Sequence, residues 1–215
     1  FVLTYLMGTF FRSPPIGSNF PLFFASGILP FMFFMEVQGS VSSAVRSSRP
    51  LLSYPGVTFF DAILARFILG SLTKLVIYVL VLTAIVQFYG LSALFHYERI
   101  IMALLMAMTL ALGVGTLNCL LLSMFPLWER IWGFVRRPLF LASAIVYVYD
   151  SVPLPYRDWL WWNPIVHFVG MMRSGLYPSY AAPYVSVTYV AVLAVGTFTV
   201  GLFFLRRYFR DILND

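Results

Sequence analysis

The chain has 215 residues, 61% of them apolar and 10% charged, with a formal net charge of +6 and a mean hydropathy of +0.88. Soluble domains carry about half apolar and about a quarter charged residues, so this composition excludes a single water-excluded core and makes the lipid bilayer the solvent. The positive charge sits in short clusters between apolar runs, as membrane topology requires, and no nucleic-acid partner is expected from it.

The first apolar run, residues 1–11, gives eleven residues, or about 17 Å of helix, against about 30 Å of hydrocarbon. It is expected to be the far end of a first span that begins before Phe1. The second span is predicted over residues 19–44, with Glu36, Gln38 and several serines in its later turns. The stretch "RSSRPLLSYPGVTFFD", residues 46–61, follows, with Pro50, Pro55 and Gly56 as breakers. The third span covers residues 59–90 and contains Lys74; a short loop then carries His96, Glu98 and Arg99. The fourth, residues 100–125, contains the only cysteine, Cys119, so no disulfide framework exists. After "PLWERIWGFVRRP" the fifth apolar run covers residues 139–149, with Pro138 at its start and Asp150 at its end. The last span is predicted over residues 184–205, and the tail reads "RRYFRDILND".

Alternation of sides puts nine arginines together: Arg46, Arg49, Arg66, Arg130, Arg136, Arg137, Arg206, Arg207 and Arg210. Arg12, Arg99, Arg157 and Arg173 fall on the other side. The larger group is expected in the cytoplasm, together with the C-terminus. The alternation closes only if residues 153–178 enter and leave from the outer side. The fifth run, again eleven residues, gives about 17 Å, so it is expected to end near mid-membrane or at the outer interface.

"PLPYRDWLWWNPIVHFVGMMRSGLYP", residues 153–178, is too apolar for a loop in water and too interrupted for a span. Pro155 suits the first turn of a helix and Asp158 its N-terminus, giving a short helix to Trp162. Asn163-Pro164 reads as an N-cap followed by Pro at the first helical position, giving a second helix to about Leu176. Two such helices, each about 18 Å or less, form either a re-entrant hairpin lining a conduit or an interfacial hairpin in the aromatic belt.

Catalytic motifs are sparse. No G-x-x-x-x-G-K-[ST] phosphate loop occurs, since "GSLTK" at residues 70–74 lacks the order. His96 and Glu98 are two apart and cannot share a helical face, and no nucleophile elbow marks a serine. With two His and one Cys, a zinc site would need carboxylates from distant loops, so neither a metal nor a catalytic site is expected. Charge inside the spans is the stronger signal, because burying it in lipid is expensive. Glu36 and Lys74 fall at comparable depth on neighbouring antiparallel helices. They are expected to pair, either to fix helix register or along a substrate path, and Gln38 lies close enough in sequence to join them. Ala107, Ala111 and Gly115 recur every fourth residue on the fourth span, a spacing that lets helices approach closely. Residues 46–58 are either a solvated connector or a short amphipathic turn that enters a partner's groove.

The whole pattern resembles the permease subunit of type-two ABC exporters, most closely the capsular polysaccharide export permeases. The resemblance covers nearly the full chain and is carried by "SGILPFMFF" (26–34), "RSSRPLLSYPGVTFFDAILAR" (46–66), "DWLWWNPIVHFVGMMRSGLYPSY" (158–180) and "FFLRRYFRD" (203–211). It implies a single all-α transmembrane domain over residues 1–215, a polytopic bundle of six spans with the first one truncated here, and a pair of short outer gate helices at residues 153–178. It implies a homodimer with two copies of a separate ATPase subunit, where ATP and Mg act. It also implies a periplasmic co-polymerase subunit, an outer-membrane export channel and lipid-linked polysaccharide as cargo in the bacterial inner membrane. Residues 46–58 resemble the family's cytoplasmic coupling helix, with Arg46, Arg49, Leu51, Leu52 and Tyr54 as candidate ATPase contacts.

An aromatic conduit with few donors lets a polymer slide, since sugar C–H faces pack on rings and hydroxyls need polar partners. Arg99, Arg157 and Arg173 are the expected charges at the outer mouth, with Tyr147, Tyr149, Trp159, Trp161 and Trp162 for stacking. The W-N-P-x-x-H block is shared in looser form with O-antigen and teichoic-acid exporters, which are the alternative within exporters. An intramembrane enzyme acting on lipid-linked sugar predicts activity without a partner. A structural membrane subunit predicts neither activity nor an associated ATPase.

Overall fold

The structure is a computed structural model and describes residues 15–17, 19–52, 54, 56–90 and 95–214, with side chains of the last helix described through Phe209. Every helix and strand assignment among these residues is helical. Helix α1 is Phe20–Ser42, followed by the short α2 (Ala44–Ser47) and α3 (Arg49–Leu52). Helices α4 (Phe59–Phe88) and α5 (Tyr97–Met124) are long, and α6 is Trp128–Leu141. A 3₁₀ turn at Tyr149–Ser151 precedes α7 (Tyr156–Trp161), α8 (Pro164–Leu176) and α9 (Val187–Asn214). Four of these, α1, α4, α5 and α9 over Val187–Phe209, are long and apolar enough to cross a membrane. The expected truncated span at residues 1–11, and Arg12, lie outside the described residues, so the count of six spans is not reached.

Local chemistry sets several boundaries. Thr58 and Asp61 form a reciprocal box at the start of α4. The Asp61 carboxylate accepts from the Thr58 amide (2.9 Å) and hydroxyl (2.7 Å), and the Asp61 amide donates to Thr58 Oγ1 (3.3 Å). The serines late in α1 donate to carbonyls of their own helix: Ser40 to Glu36 (3.0 Å) and Ser42 to Gly39 (2.8 Å). Such back-bonding lets a hydroxyl sit in an apolar setting without an orphan donor.

The fifth apolar run is corrected by the structure. The helix there is α6, which takes in the arginines and stops at Leu141, so residues 142–148 are turns, bends and extended chain. Pro138 lacks an amide hydrogen, and the Ala142 amide closes the last turn onto the Pro138 carbonyl at 2.9 Å. Ala144 takes a left-handed φ of 53°, which ends any helix. Helix α6 is amphipathic: Trp128, Ile131, Trp132 and Val135 share one face and Glu129, Arg130, Arg136 and Arg137 another, and none of its residues is buried. At 14 residues it is about 21 Å long.

The chain forms two compact units. One holds the described residues up to Met32 with Val76–Ala107 and Pro138–Val187. Within it α8 is buried almost all round, from Ile165 to Leu176, as expected of a helix without a polar face. Ala144, Tyr149 and Val166 form a core, with Tyr147, Leu160, Trp161 and Tyr184 against it. The other unit holds Phe33–Leu75, Met108–Arg137 and the chain from Thr188. Its core is Val41, Ala44, Val45, Leu52, Ala62, Ile63, Cys119, Leu120 and Leu205.

The expected small-residue face of α5 is buried: Ala107 and Ala111 are inaccessible and Gly115 is buried. The tightest approach falls at Gly113, where a Cβ would lie 2.5 Å from Thr197 Oγ1 and collide with the Ala194 carbonyl of α9. Gly113→Leu is therefore expected to cost about 3 kcal/mol through overpacking and to lower the melting temperature of the detergent-solubilised protein. Gly196→Leu is expected to leave it unchanged, because nothing lies within 4 Å of a Cβ there.

Candidate functional site

The corner expected at Asn163-Pro164 is built as a cap. Pro164 opens α8, and Asn163 Oδ1 accepts from the Ile165 amide at 3.0 Å. The same Asn163 amide donates to the Ala142 carbonyl (2.9 Å) and to Ser143 Oγ (3.3 Å). One side chain thus caps α8 and ties it to the residues that leave α6. Three residues into α8, His167 is inaccessible and uses both ring nitrogens. The Ser186 amide donates to Nδ1 (3.1 Å), so Nε2 carries the hydrogen and donates to the Trp161 carbonyl (2.9 Å). The W-N-P-x-x-H block is therefore a staple: its Asn and His fasten three separate chain segments.

Aromatic rings pack around this staple. Tyr149 stacks on Tyr184 at 3.9 Å between centroids, and Trp161 meets His167 edge-on at 5.2 Å. Trp161 Nε1 donates to the Tyr184 carbonyl at 3.1 Å, and Tyr149 Oη to the Arg157 carbonyl at 3.1 Å. Tyr180 Oη donates to Asp150 at 3.2 Å. Gly170 gives Tyr184 its place, since a Cβ there would collide with the Tyr184 hydroxyl.

The residues expected along a substrate path divide by exposure. Trp159 and Trp162 stand out from the unit at 76% and 67% exposed, and Arg99 is exposed while donating to the Ser174 carbonyl at 3.2 Å. Arg157, Tyr147 and Trp161 are half-buried. Tyr149 is buried, and Arg173 is 1% exposed with its guanidinium on two carbonyls. Arg173 is not placed at an open mouth. A group fixed this way is engaged with its own chain and presents no donor outward.

In the other unit, Lys74 of α4 and Glu36 of α1 form an ion pair with both side chains partly exposed. Four residues on, Gly70 lies against Ser40 with a Cβ-to-side-chain distance of 3.4 Å, so the two helices run antiparallel in register. Gln38 does not join the pair: it is inaccessible and its amide makes no hydrogen bond among the described residues. The segment expected to couple to an ATPase folds as α2 and α3. Leu51 and Tyr54 point outward, at 59% and 67% exposed, whereas Leu52 is packed into the core. Arg46 is exposed and pairs with Glu129 of α6 at 3.1 Å. Arg49 is exposed on α3. The Arg46–Glu129 pair was not foreseen, because nothing in the sequence brings residues that far apart together.

The model of the ABC-2 type transporter family matches residues 1–177, and the chain belongs to that family as a multi-pass membrane protein. It is 26% identical over 169 residues to the polysialic acid transport protein KpsM of Escherichia coli, covering 79% of this chain and 66% of that protein. It is 25% identical over 183 residues to the capsule polysaccharide export inner-membrane protein CtrC of Neisseria meningitidis serogroup B, covering 83% and 68%. A third similar protein is the capsule polysaccharide export inner-membrane protein BexB of Haemophilus influenzae, 20% identical over 183 residues, covering 85% and 69%. The chain spans just under two thirds of the length of the KpsM protein.

The ion pair gives a direct test. Lys74→Met leaves the Glu36 carboxylate without its partner and is expected to cost about 1–2 kcal/mol more than Lys74→Met/Glu36→Gln, less than for a fully buried pair. Thermal melts in detergent measure this, and a double variant no more stable than the single would remove the pair from the account.

Proposed function

We propose that the chain is the membrane subunit of an ATP-driven exporter that moves lipid-linked capsular polysaccharide from the cytoplasm across the inner membrane. The observation that carries this is the agreement of three relatives, each named for capsule or polysialic acid transport and each matched over about four fifths of the chain. ATP and Mg act in two copies of a separate ATPase subunit, and this chain works as a pair with a second copy of itself. Residues 46–58 and the C-terminus face the cytoplasm, as the clustering of arginines favours. A periplasmic co-polymerase and an outer-membrane channel continue the route.

The exposure pattern supports a division of labour. Leu51 and Tyr54 present apolar and aromatic surface to the ATPase while Leu52 anchors their segment in the permease core. Motion of the ATPase is then passed to α1 and α4 rather than lost in a loose loop. Trp159 and Trp162 offer ring faces to the sugars, with Arg157 on the same short helix and Arg99, near the far end of α8, for acidic groups. Tyr149, Trp161 and Arg173 hold those residues in place from behind.

Three expected outcomes follow from this division. Tyr54→Ala with Leu51→Ala should lower the ATPase recovered with the solubilised permease by about tenfold, the loss of roughly 1.4 kcal/mol of contact, while the permease melts normally. Leu52→Ala should instead lower the melting temperature, since truncating a buried Leu costs about 2–5 kcal/mol. Trp159→Leu/Trp162→Leu should abolish surface polysaccharide with normal permease level and normal ATPase association. Intact surface polysaccharide in that variant would remove these rings from the path, and intact polysaccharide after deletion of the gene would overturn the exporter reading.

A further inference from the structure

Arg173 is a buried cation that forms no ion pair among the described residues. Its partners are backbone and ring. Nη1 donates to the Tyr147 carbonyl and Nη2 to the Ile145 carbonyl, both at 2.6 Å. The guanidinium carbon lies 4.4 Å from the centre of the Phe23 ring. Both carbonyls belong to the strap, residues 142–148, where the chain has left α6 and no helix donates to them. A third strap carbonyl, that of Ala142, is taken by Asn163 at 2.9 Å. The strap also holds Ala144 at a left-handed φ of 53°, a conformation that costs a non-glycine residue about 1–2 kcal/mol and persists only where surrounding contacts dictate it. The α7–α8 hairpin supplies three of the hydrogen bonds that hold the strap, while Gly27 of α1 packs closely against Ile145.

We propose that Arg173 and Asn163 are positioning residues that lock the strap to the α7–α8 hairpin, so that the two shift as one body during transport. Arg173 does not touch the cargo. Opening the lock would leave a buried guanidinium without acceptors and three carbonyls without donors, which an apolar setting penalises heavily. Arginine suits the task because its planar fork reaches two carbonyls at once, and a lysine ammonium at the same place lacks that fixed pair of donors. The lock sets where Tyr147, on the strap, stands relative to Trp159 and Trp162, on and just after α7. The lock itself stands on the geometry alone, whereas its part in transport rests on the exporter reading above.

The experiment uses the complete transporter in detergent. Cys119 is inaccessible, so a cysteine introduced at half-buried Val146 is the reactive thiol, and its maleimide labelling rate reports how firmly the strap is held. Arg173→Gln and Asn163→Ala should each raise that rate about tenfold, the factor carried by one lost hydrogen bond to a charged or well-fixed donor. Arg173→Lys should fall between Arg173→Gln and the parent. A cysteine at exposed Leu154, ahead of α7, should label at the parent rate in all of them, which a general loosening would not allow. If Arg173→Gln fails to accumulate, Arg173→Lys and Asn163→Ala decide. Rates at position 146 within about twofold of the parent in both, or a parallel rise at position 154, overturn the lock. Variants that label fast, retain the ATPase and lose surface polysaccharide support its part in transport. Fast labelling with normal surface polysaccharide overturns that part. Fast labelling in a protein whose gene deletion leaves the polysaccharide intact supports the lock and sinks only the exporter reading.

Discussion

A backbone carbonyl outside a helix needs a donor, and where lipid or protein excludes water that donor must come from the chain itself. This constraint explains more of the structure than any other. Between Leu141 and Tyr149 the chain is neither helix nor surface loop: Ser143, Ala144, Ile145 and Val148 are all buried. Its carbonyls are met one by one, Ala142 by Asn163 and Ile145 and Tyr147 by Arg173. The side chains that meet them sit on the hairpin that follows, so the hairpin and the break in the preceding helix require one another. Remove the donors and the strap has no reason to be non-helical; straighten the strap and Arg173 has no acceptors.

The second unit meets the same constraint by more local means. Its serines fold back on carbonyls three or four residues earlier, and Thr58 and Asp61 close the first turn of α4. These bonds link neighbours in sequence and add little to the tertiary fold. Exceptions among the described residues are the ion pairs Glu36–Lys74 and Arg46–Glu129 and the Trp128 indole, which donates to Asn118. Both ion pairs are partly exposed, so each contributes modestly to stability. Their value is in register: Glu36–Lys74 and the Gly70–Ser40 approach together fix how α1 lies along α4. The apolar cluster around Cys119 supplies the non-directional part of the stabilisation.

What the sequence made legible follows from this contrast. Long apolar runs announce helices because lipid leaves the backbone no alternative: α1, α4 and α5 were foreseen within a few residues, and α9 was foreseen at its start but runs on through the tail to Asn214. Asn163-Pro164 marked a helix start because capping is a contact between neighbours. The Glu36–Lys74 pair was legible because two charges in otherwise apolar spans have few ways to lower their cost. The fifth run was misread for the opposite reason. Residues 139–149 look like a short span by composition, and the donors that hold them in another shape lie up to 28 residues away. Arg173 suffered likewise: its residue type suggested an outer charge, and only the fold shows it buried with two guanidinium nitrogens on backbone carbonyls. Leu51 and Leu52 are identical in sequence terms, yet one faces out and the other closes the core, a distinction only the fold reveals.

These cases converge on how one aromatic-rich block does two jobs. In α7 and the corner after it, Trp159 and Trp162 turn outward while Trp161 turns in, donating to the Tyr184 carbonyl and packing edge-on against His167. A six-residue helix has too few internal hydrogen bonds to hold its shape. Without Trp161, His167 and Asn163 fastening it, its outward rings would not be held in one orientation. The buried members of the block therefore set where the exposed ones stand. The same logic joins Leu52 to Leu51 and Tyr54. In both places an exposed apolar or aromatic surface is carried on or beside a short helix, and a neighbour in sequence that faces the other way anchors it in its unit.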